Sequence, residues 1–313
     1  MVSYVARRLG AGIILVLGSS LLVFLLMLVN SEHIARIIMG DEASDEAVAH
    51  KAAALGLDHP VIVQYWDWLG GTLKGDLGTS WLNGESVTYL LVNRIPVTLS
   101  VAVGTIVVSC AVSVVLGLIA AVRRGWVDRV LQAVSVLGLV FPGFWLALVL
   151  VSVVAIQWGL VPATGYTPME SSIGGWLSSL ALPVFSLAFG AVSGLAQQVR
   201  SATIATLDRD FVRTLRSRGI PERTVLLRHV LRNAAPPTLT VLSLNFIGLM
   251  SGAVMIEQVF ALPGIGSLAV EATTKGDIPI VMGAVIISVL IVVVVNVLTD
   301  LLNGWLNPKV RLS

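Results

Sequence analysis

The sequence predicts an all-α integral membrane protein with six transmembrane helices and an external segment after the first. Three observations carry that reading. The 313 residues are 56% hydrophobic and only 12% charged, with a mean hydropathy of +0.91, whereas soluble globular domains run near 45–50% apolar and about 25% charged. Six apolar runs are long enough to cross a bilayer, which takes about 20 residues. The lysines and arginines also segregate: with the N-terminus inside, 15 fall on the inner connections and 5 on the outer ones, the bias that fixes orientation in membranes.

Taken in order, the first run covers roughly 9–30, behind Arg7 and Arg8. Leu9 to Asn30 is 22 residues, too long for a signal-peptide core of about 7–15, so it is read as a retained helix. Segment 31–94 follows on the outside. Between Ser31 and Val92 it holds nine acidic residues against three basic ones, interleaved with Tyr65, Trp66, Trp68, Leu69 and Trp81, and this mixture predicts folded structure. Residues 41–57 read as a short helix with Ser44 as N-cap and a stop at Gly56. The second and third spans are placed at 95–122 and 130–157. Residues 158–177, with Pro162, Gly165, Pro168 and Gly174, read as a loop. The fourth, fifth and sixth spans are placed at 178–199, 236–256 and 279–306. Residues 95–306 form the core, with 200–235 on the cytoplasmic side, and 307–313 form a cytoplasmic tail. Both termini are expected on the cytoplasmic side.

Several chemistries find no support. The one cysteine, Cys110, lies in an apolar run, so no disulfide framework or thiolate metal site is expected. The four histidines are scattered outside the spans, and neither H-E-x-x-H, a P-loop nor a G-x-S-x-G elbow occurs. No catalytic residue, bound metal, cofactor or nucleic-acid partner is expected. Residues 97–122, 130–157 and 178–199 carry no acid or base, and the fifth span has none before Glu257. Asp300 is the one internal carboxylate candidate. Proton-coupled transporters rely on intramembrane carboxylates or histidines, so the energy for any transport is expected from elsewhere.

The most informative stretch is 208–237, with seven arginines in 30 residues. Asp208 or Asp210 is a candidate cap for a short helix. Phe211, Val212 and Leu215 take one side of it, and Arg209, Arg213 and Arg216 another. Gly219 suits a left-handed C-terminal position. Pro221 and Glu222 restart a helix, expected to run to about 234 and to end before Pro236-Pro237. The helix–glycine–helix order suits a docking element better than a plain positive-inside loop. Phe211 and Leu215 would fill a partner's groove and the arginines would pair with its acidic rim.

At these residues the chain resembles the membrane subunit of bacterial ABC importers of the dipeptide/oligopeptide/nickel permease family. Asp210-Phe211-Val212-Arg213-Thr214-Leu215-Arg216-Ser217-Arg218-Gly219 and Arg228-His229-Val230-Leu231-Arg232-Asn233-Ala234 are similar to that family's cytoplasmic "EAA" loop. Arg213-Thr214-Leu215 stand where Glu-Ala-Ala names it. The likeness extends over residues 55–81, 94–104 and 259–272, the pair Asp277 and Pro279, Asn296 with Asp300, and Asn307-Pro308-Lys309. One departure is that NSEHIA (30–35) replaces the usual P-G-D-P after the first span.

The resemblance implies a type I ABC importer permease fold and a non-catalytic role, half of a translocation path for di- or oligopeptides. It implies that Asp210–Gly219 form a coupling helix set into an ATPase subunit. The implied partners are a second homologous permease, two ABC ATPases (or one fused), an extracytoplasmic substrate-binding protein against 31–94, and the lipid bilayer. ATP and Mg would be used by the ATPases. Pro142, Gly143, Pro183 and Pro237 are candidate kink positions for gating. Nickel, glutathione or another small solute is the alternative cargo, and a stand-alone channel or scaffold the remote alternative.

Overall fold

The computed structural model describes residues 2–28, 31–40, 42–123 and 125–306. All regular elements among them are helical: α1 (Val2–Leu28), α2 (Ser31–Met39), α3 (Asp45–Ala54), α4 (Val61–Leu73), α5 (Val87–Val122), α6 (Trp126–Val140), α7 (Gly143–Leu150, continued by a π-helical stretch Val151–Gln157), α8 (Ile173–Leu207), α9 (Asp210–Ser217), α10 (Glu222–Thr224, continued by a π-helical stretch Val225–Val230), α11 (Leu231–Val259), α12 (Ile265–Lys275) and α13 (Ile278–Leu306). Five unbroken helices are long and apolar enough to cross a membrane, and the bent pair α6–α7 makes a sixth. The tail 307–313 and the start of the NSEHIA segment at Asn30 lie outside the described residues.

Packing groups the described residues into two units, Ala6–Thr98 with Pro263–Val293, and Leu99–Leu262 with residues 2–5 and 294–306. In the first, Phe24, Ile34, Val48, Tyr65, Leu69 and Met282 are buried together. Val87, Leu91, Ile265, Leu268 and Ile280 form an adjoining cluster. Ser44 caps α3, its hydroxyl accepting from Ala47 N–H at 3.3 Å, and Gly56 ends that segment at φ +70°. Asp277 is fully buried and accepts hydrogen bonds from Ser80 Oγ at 2.5 Å and Trp81 N–H at 3.2 Å. One carboxylate thus satisfies a turn 197 residues away in sequence.

In the second unit α8 is the spine. A side chain on Gly117 would meet Val199 Cβ at 2.7 Å, and one on Gly104 would meet Val184 at 2.9 Å. Small residues let α5 approach α8 this closely, the usual means of packing helices in lipid.

Three expectations are corrected, and the span placed at 130–157 bends beside its kink candidates Pro142 and Gly143: the axes of Trp126–Gly138 and Gly143–Gln157 stand 93° apart. Phe141, which precedes a proline, takes an extended conformation (φ −81°, ψ 121°), as the clash with the proline ring requires. Pro142 then opens α7. The helix expected to end before Pro236-Pro237 instead runs on, with both prolines inside α11. Interrupting the helix there would unpair more backbone groups than the two carbonyls the rings leave without donors, a heavier cost in an apolar setting. Residues 158–177 are not all loop, since α8 begins at Ile173 with Ser172 as its cap. Finally, neither Asp208 nor Asp210 caps α9. The N-cap residue is Arg209, without a side-chain cap; Asp208 closes α8 and Asp210 is the first residue of α9.

Two further boundaries moved without changing the topology. The second long helix starts at Val87 rather than 95, carrying Pro96 in its interior. The outer connection before α13 contains a full helix, α12, closed by Gly276 at φ +72°.

Candidate functional site

The arginine-rich connection is built on three valines. Val212 of α9, and Val225 and Val230 of the following π-helical stretch, are each fully buried, with Leu207, Phe211, Leu215 and Ile220 packed against them. Burying one valine contributes about 1.5–3 kcal/mol, which is what holds a helix of eight residues, far below the length at which isolated helices persist. Gly219 makes the turn out of α9 at φ +73°, a left-handed conformation that side chains resist. Its N–H bonds to Arg216 O at 3.0 Å, and Ile220 N–H to Leu215 O at 3.3 Å. Pro221 adopts an extended conformation and caps the restart at Glu222.

Electrostatics close the same turn. Arg216 donates from Nε to Glu222 Oε2 at 3.1 Å and from Nη2 to Oε1 at 2.5 Å. This two-point contact raises the guanidinium pKa above its ordinary value. Arg213 Nη1 lies 3.8 Å from Asp210 Oδ1, both side chains largely in solvent.

The arrangement keeps an apolar and a basic face apart. Phe211 and Leu215, expected to fill a partner's groove, are half-buried on the loop's own valine cluster. The face turned to solvent consists of Asp210, Arg213, Thr214, Arg216, Ser217 and Arg218. It is polar and basic, anchored below by an apolar base.

The kink candidates occupy three different settings. Pro142 and Gly143 sit at the bend. A side chain on Gly143 would approach Ser186 O at 3.3 Å, and one on Gly138 would meet Ser193 Oγ at 1.9 Å. Glycines therefore press both arms of the bend onto α8. Pro183 is buried inside α8, which continues through it, and Pro237 is exposed inside α11.

Two features escaped the sequence reading. Arg200 holds Asp128 through paired hydrogen bonds of 2.6 Å, joining α8 to α6; the signal was Asp128, the one acid in the connection 123–129. A cleft of about 360 Å³ also opens where α7, α8 and α11 meet, lined by Gly143, Phe144, Ser186, Leu187, Asn245 and Gly248. Asn245, a lone amide in an apolar run, was its only visible sign.

Comparison with known proteins places these features in a family. Residues 113–312 match the family described as binding-protein-dependent transport system inner membrane component, and residues 1–102 match its N-terminal membrane-component family. A Brucella abortus (strain 2308) protein, named for a peptide transport system as its permease, is 38% identical over 312 residues, covering 99% of each chain. The oligopeptide transport system permease protein AppB of Bacillus subtilis is 32% identical, covering 99% of this chain and all of its own. The glutathione transport system permease protein GsiC of Salmonella choleraesuis is 32% identical over 99% of each. With its spanning helices and its arginine-faced loop between two of them, the chain belongs to the family of binding-protein-dependent transport system inner membrane components, and it is a permease subunit.

Proposed function

We propose that this permease forms half of an ATP-driven path for di- or oligopeptides across a bacterial inner membrane, with both termini on the cytoplasmic side. The exposed face of α9 docks on an ATPase subunit, which holds ATP and Mg. A second permease completes the path, and an extracytoplasmic binding protein delivers cargo. One observation carries the reading: a short helix, anchored by Val212 and presenting Arg213 and Arg216 to solvent, stands between two long apolar helices. Such a helix transmits motion because its base moves with the spans while its face is free to bind.

The cleft at the bend, with Ser186 and Asn245 as its polar groups, supplies a wall for the path. Peptide amides need a few polar partners on otherwise apolar surroundings.

The test is a reconstituted complex with Arg213→Glu or Gly219→Pro in this chain. The expected result is normal membrane insertion with ATP hydrolysis uncoupled from peptide uptake. Unchanged coupling in both variants rejects the assignment of α9. Uptake assays with a labelled dipeptide, an oligopeptide and glutathione in the same vesicles then identify the cargo class.

A further inference from the structure

The sequence assigns Val61–Leu73 to the aqueous external segment, yet the contacts of α4 place it beside the first span. Tyr65 Oη lies 2.9 Å from Ser20 Oγ and donates to Leu17 O at 3.4 Å. The apolar window of α1 ends at Met27. At 1.5 Å per residue, Ser20 and Leu17 lie roughly 10 and 15 Å inside that end. The rings of Tyr65 and Trp68 also pack on Phe24, with centroids 5.4 and 6.2 Å apart. Phe24 is itself on the last two turns of α1. The helix therefore stands alongside the end of the span, not above it.

Around α4, at 100° per residue, three arcs follow one another. Tyr65, Trp68 and Leu69 face α1 and the buried cluster. Ile62, Trp66, Leu73 and Val63 come next, exposed at 57, 62, 79 and 43%. The exposed Asp67 and Lys74 follow. Asp58 and His59 precede the helix and Asp76 succeeds it, all exposed. Its 13 residues span about 20 Å, too short to cross a bilayer. An apolar arc, a polar arc, polar ends and an outward tryptophan are the pattern of a helix lying in the membrane interface.

We propose that α4 is an interfacial helix embedded in the leaflet at the Leu28 end of α1, with Ile62, Trp66 and Leu73 against lipid acyl chains and Asp67 and Lys74 toward the head groups. The depth of Tyr65 fixes the occupant. A soluble partner meeting Trp66 at the level of Phe24 and Ser20 would have to enter the bilayer, whereas lipid is already there. The surface left for a soluble partner is correspondingly smaller, and α3, with Glu46 exposed, belongs to it.

Site-directed spin labelling in liposomes tests this, using the full transport complex. Cys110→Ala removes this chain's one thiol, the other subunits are used in cysteine-free form, and single cysteines replace Trp66, Leu73 and, as a reference, Glu46. Collision with molecular oxygen, which concentrates in hydrocarbon, is compared with collision with a water-soluble nickel chelate. Labels at 66 and 73 are expected to favour oxygen several-fold, and the label at 46 to favour the chelate. Chelate access at 66 and 73 equal to that at 46 overturns the proposal in favour of an aqueous face. Exclusion of both reagents overturns it in favour of a protein-covered one. Should the cysteine variants fail to assemble, brominated lipids serve instead. They are expected to quench the wild-type complex more than a Trp66→Phe variant, and equal quenching overturns the proposal.

Discussion

Arg200 donates from Nε and Nη2 to the two carboxylate oxygens of Asp128, each at 2.6 Å, and so ties the C-terminal part of α8 to the first turn of α6. The side chains are only 25% and 12% exposed, so removing one partner strands a poorly solvated charge. Asp128→Asn is expected to destabilise the protein by about 1–3 kcal/mol. Arg200→Met alone should cost a similar amount, and the double variant less than the sum of the two. A thermal-unfolding double-mutant cycle in detergent checks this. Strict additivity would show that the pair is not coupled.

Among the described glycines Gly138 has the least room for a side chain. Its missing side chain would stand 1.9 Å from Ser193 Oγ and 3.1 Å from Phe189 O. Gly138→Ala is expected to lower the melting temperature by several degrees, since overpacking of this kind costs about 1–3 kcal/mol. Adding Ser193→Gly removes the nearer obstacle and should restore part of the loss. Thermal melts of the three purified variants decide it.

In the arginine-rich connection the buried base and the exposed face can be altered separately. Val212→Ala removes buried methyl groups beneath α9 and should cost about 1–2 kcal/mol locally. Its readout is faster protease cleavage between 208 and 222. Arg213→Glu alters a side chain that is 78% exposed and should leave that cleavage rate unchanged. The Arg216–Glu222 pair is about half exposed on both sides, so breaking it is worth under about 1 kcal/mol.

Asp277→Asn leaves the shape of the buried carboxylate but weakens its acceptance from Ser80 and Trp81. A loss of about 1–3 kcal/mol is expected. Ser80→Ala should cost at least as much as Asp277→Asn, because Ser80 Oγ also accepts from Leu82 and Asn83 N–H, whereas the amide introduced by Asp277→Asn keeps an oxygen for Trp81 N–H. Chemical-denaturant unfolding of the two variants, followed by Trp fluorescence, makes the comparison.

Much of this was legible in the sequence because lipid simplifies the code. Long apolar runs, Ser44 with Gly56, and the glycine–proline punctuation at 219–221 are local signals, and the structure keeps each of them. What escaped is non-local. The clasp between Ser80 and Asp277, the Arg200–Asp128 pair and the contact of Tyr65 with Leu17 all join residues far apart in the chain. The prolines show the limit most clearly. Pro142 breaks a helix while Pro96, Pro183, Pro236 and Pro237 do not. Around Pro142, Gly138 and Gly143 let both arms press against α8. A proline's own stereochemistry is the same at all five sites; its neighbours decide the outcome. Phe211 and Leu215, half-buried on the valine cluster, show a related limit. An amphipathic eight-residue helix shows which side is apolar, not whether that side meets its own chain or another.

The right angle at Phe141–Pro142 also has a mechanical meaning. Gly143–Gln157 is an arm of about 20 Å set crosswise to Trp126–Gly138. Turning it by 5° about its base sweeps the far tip through about 2 Å, whereas twisting α6 about its own axis by the same angle moves that axis nowhere. The bend thus has the geometry of a crank: rotation of one helix would become sideways travel of another, magnified by the length of the arm.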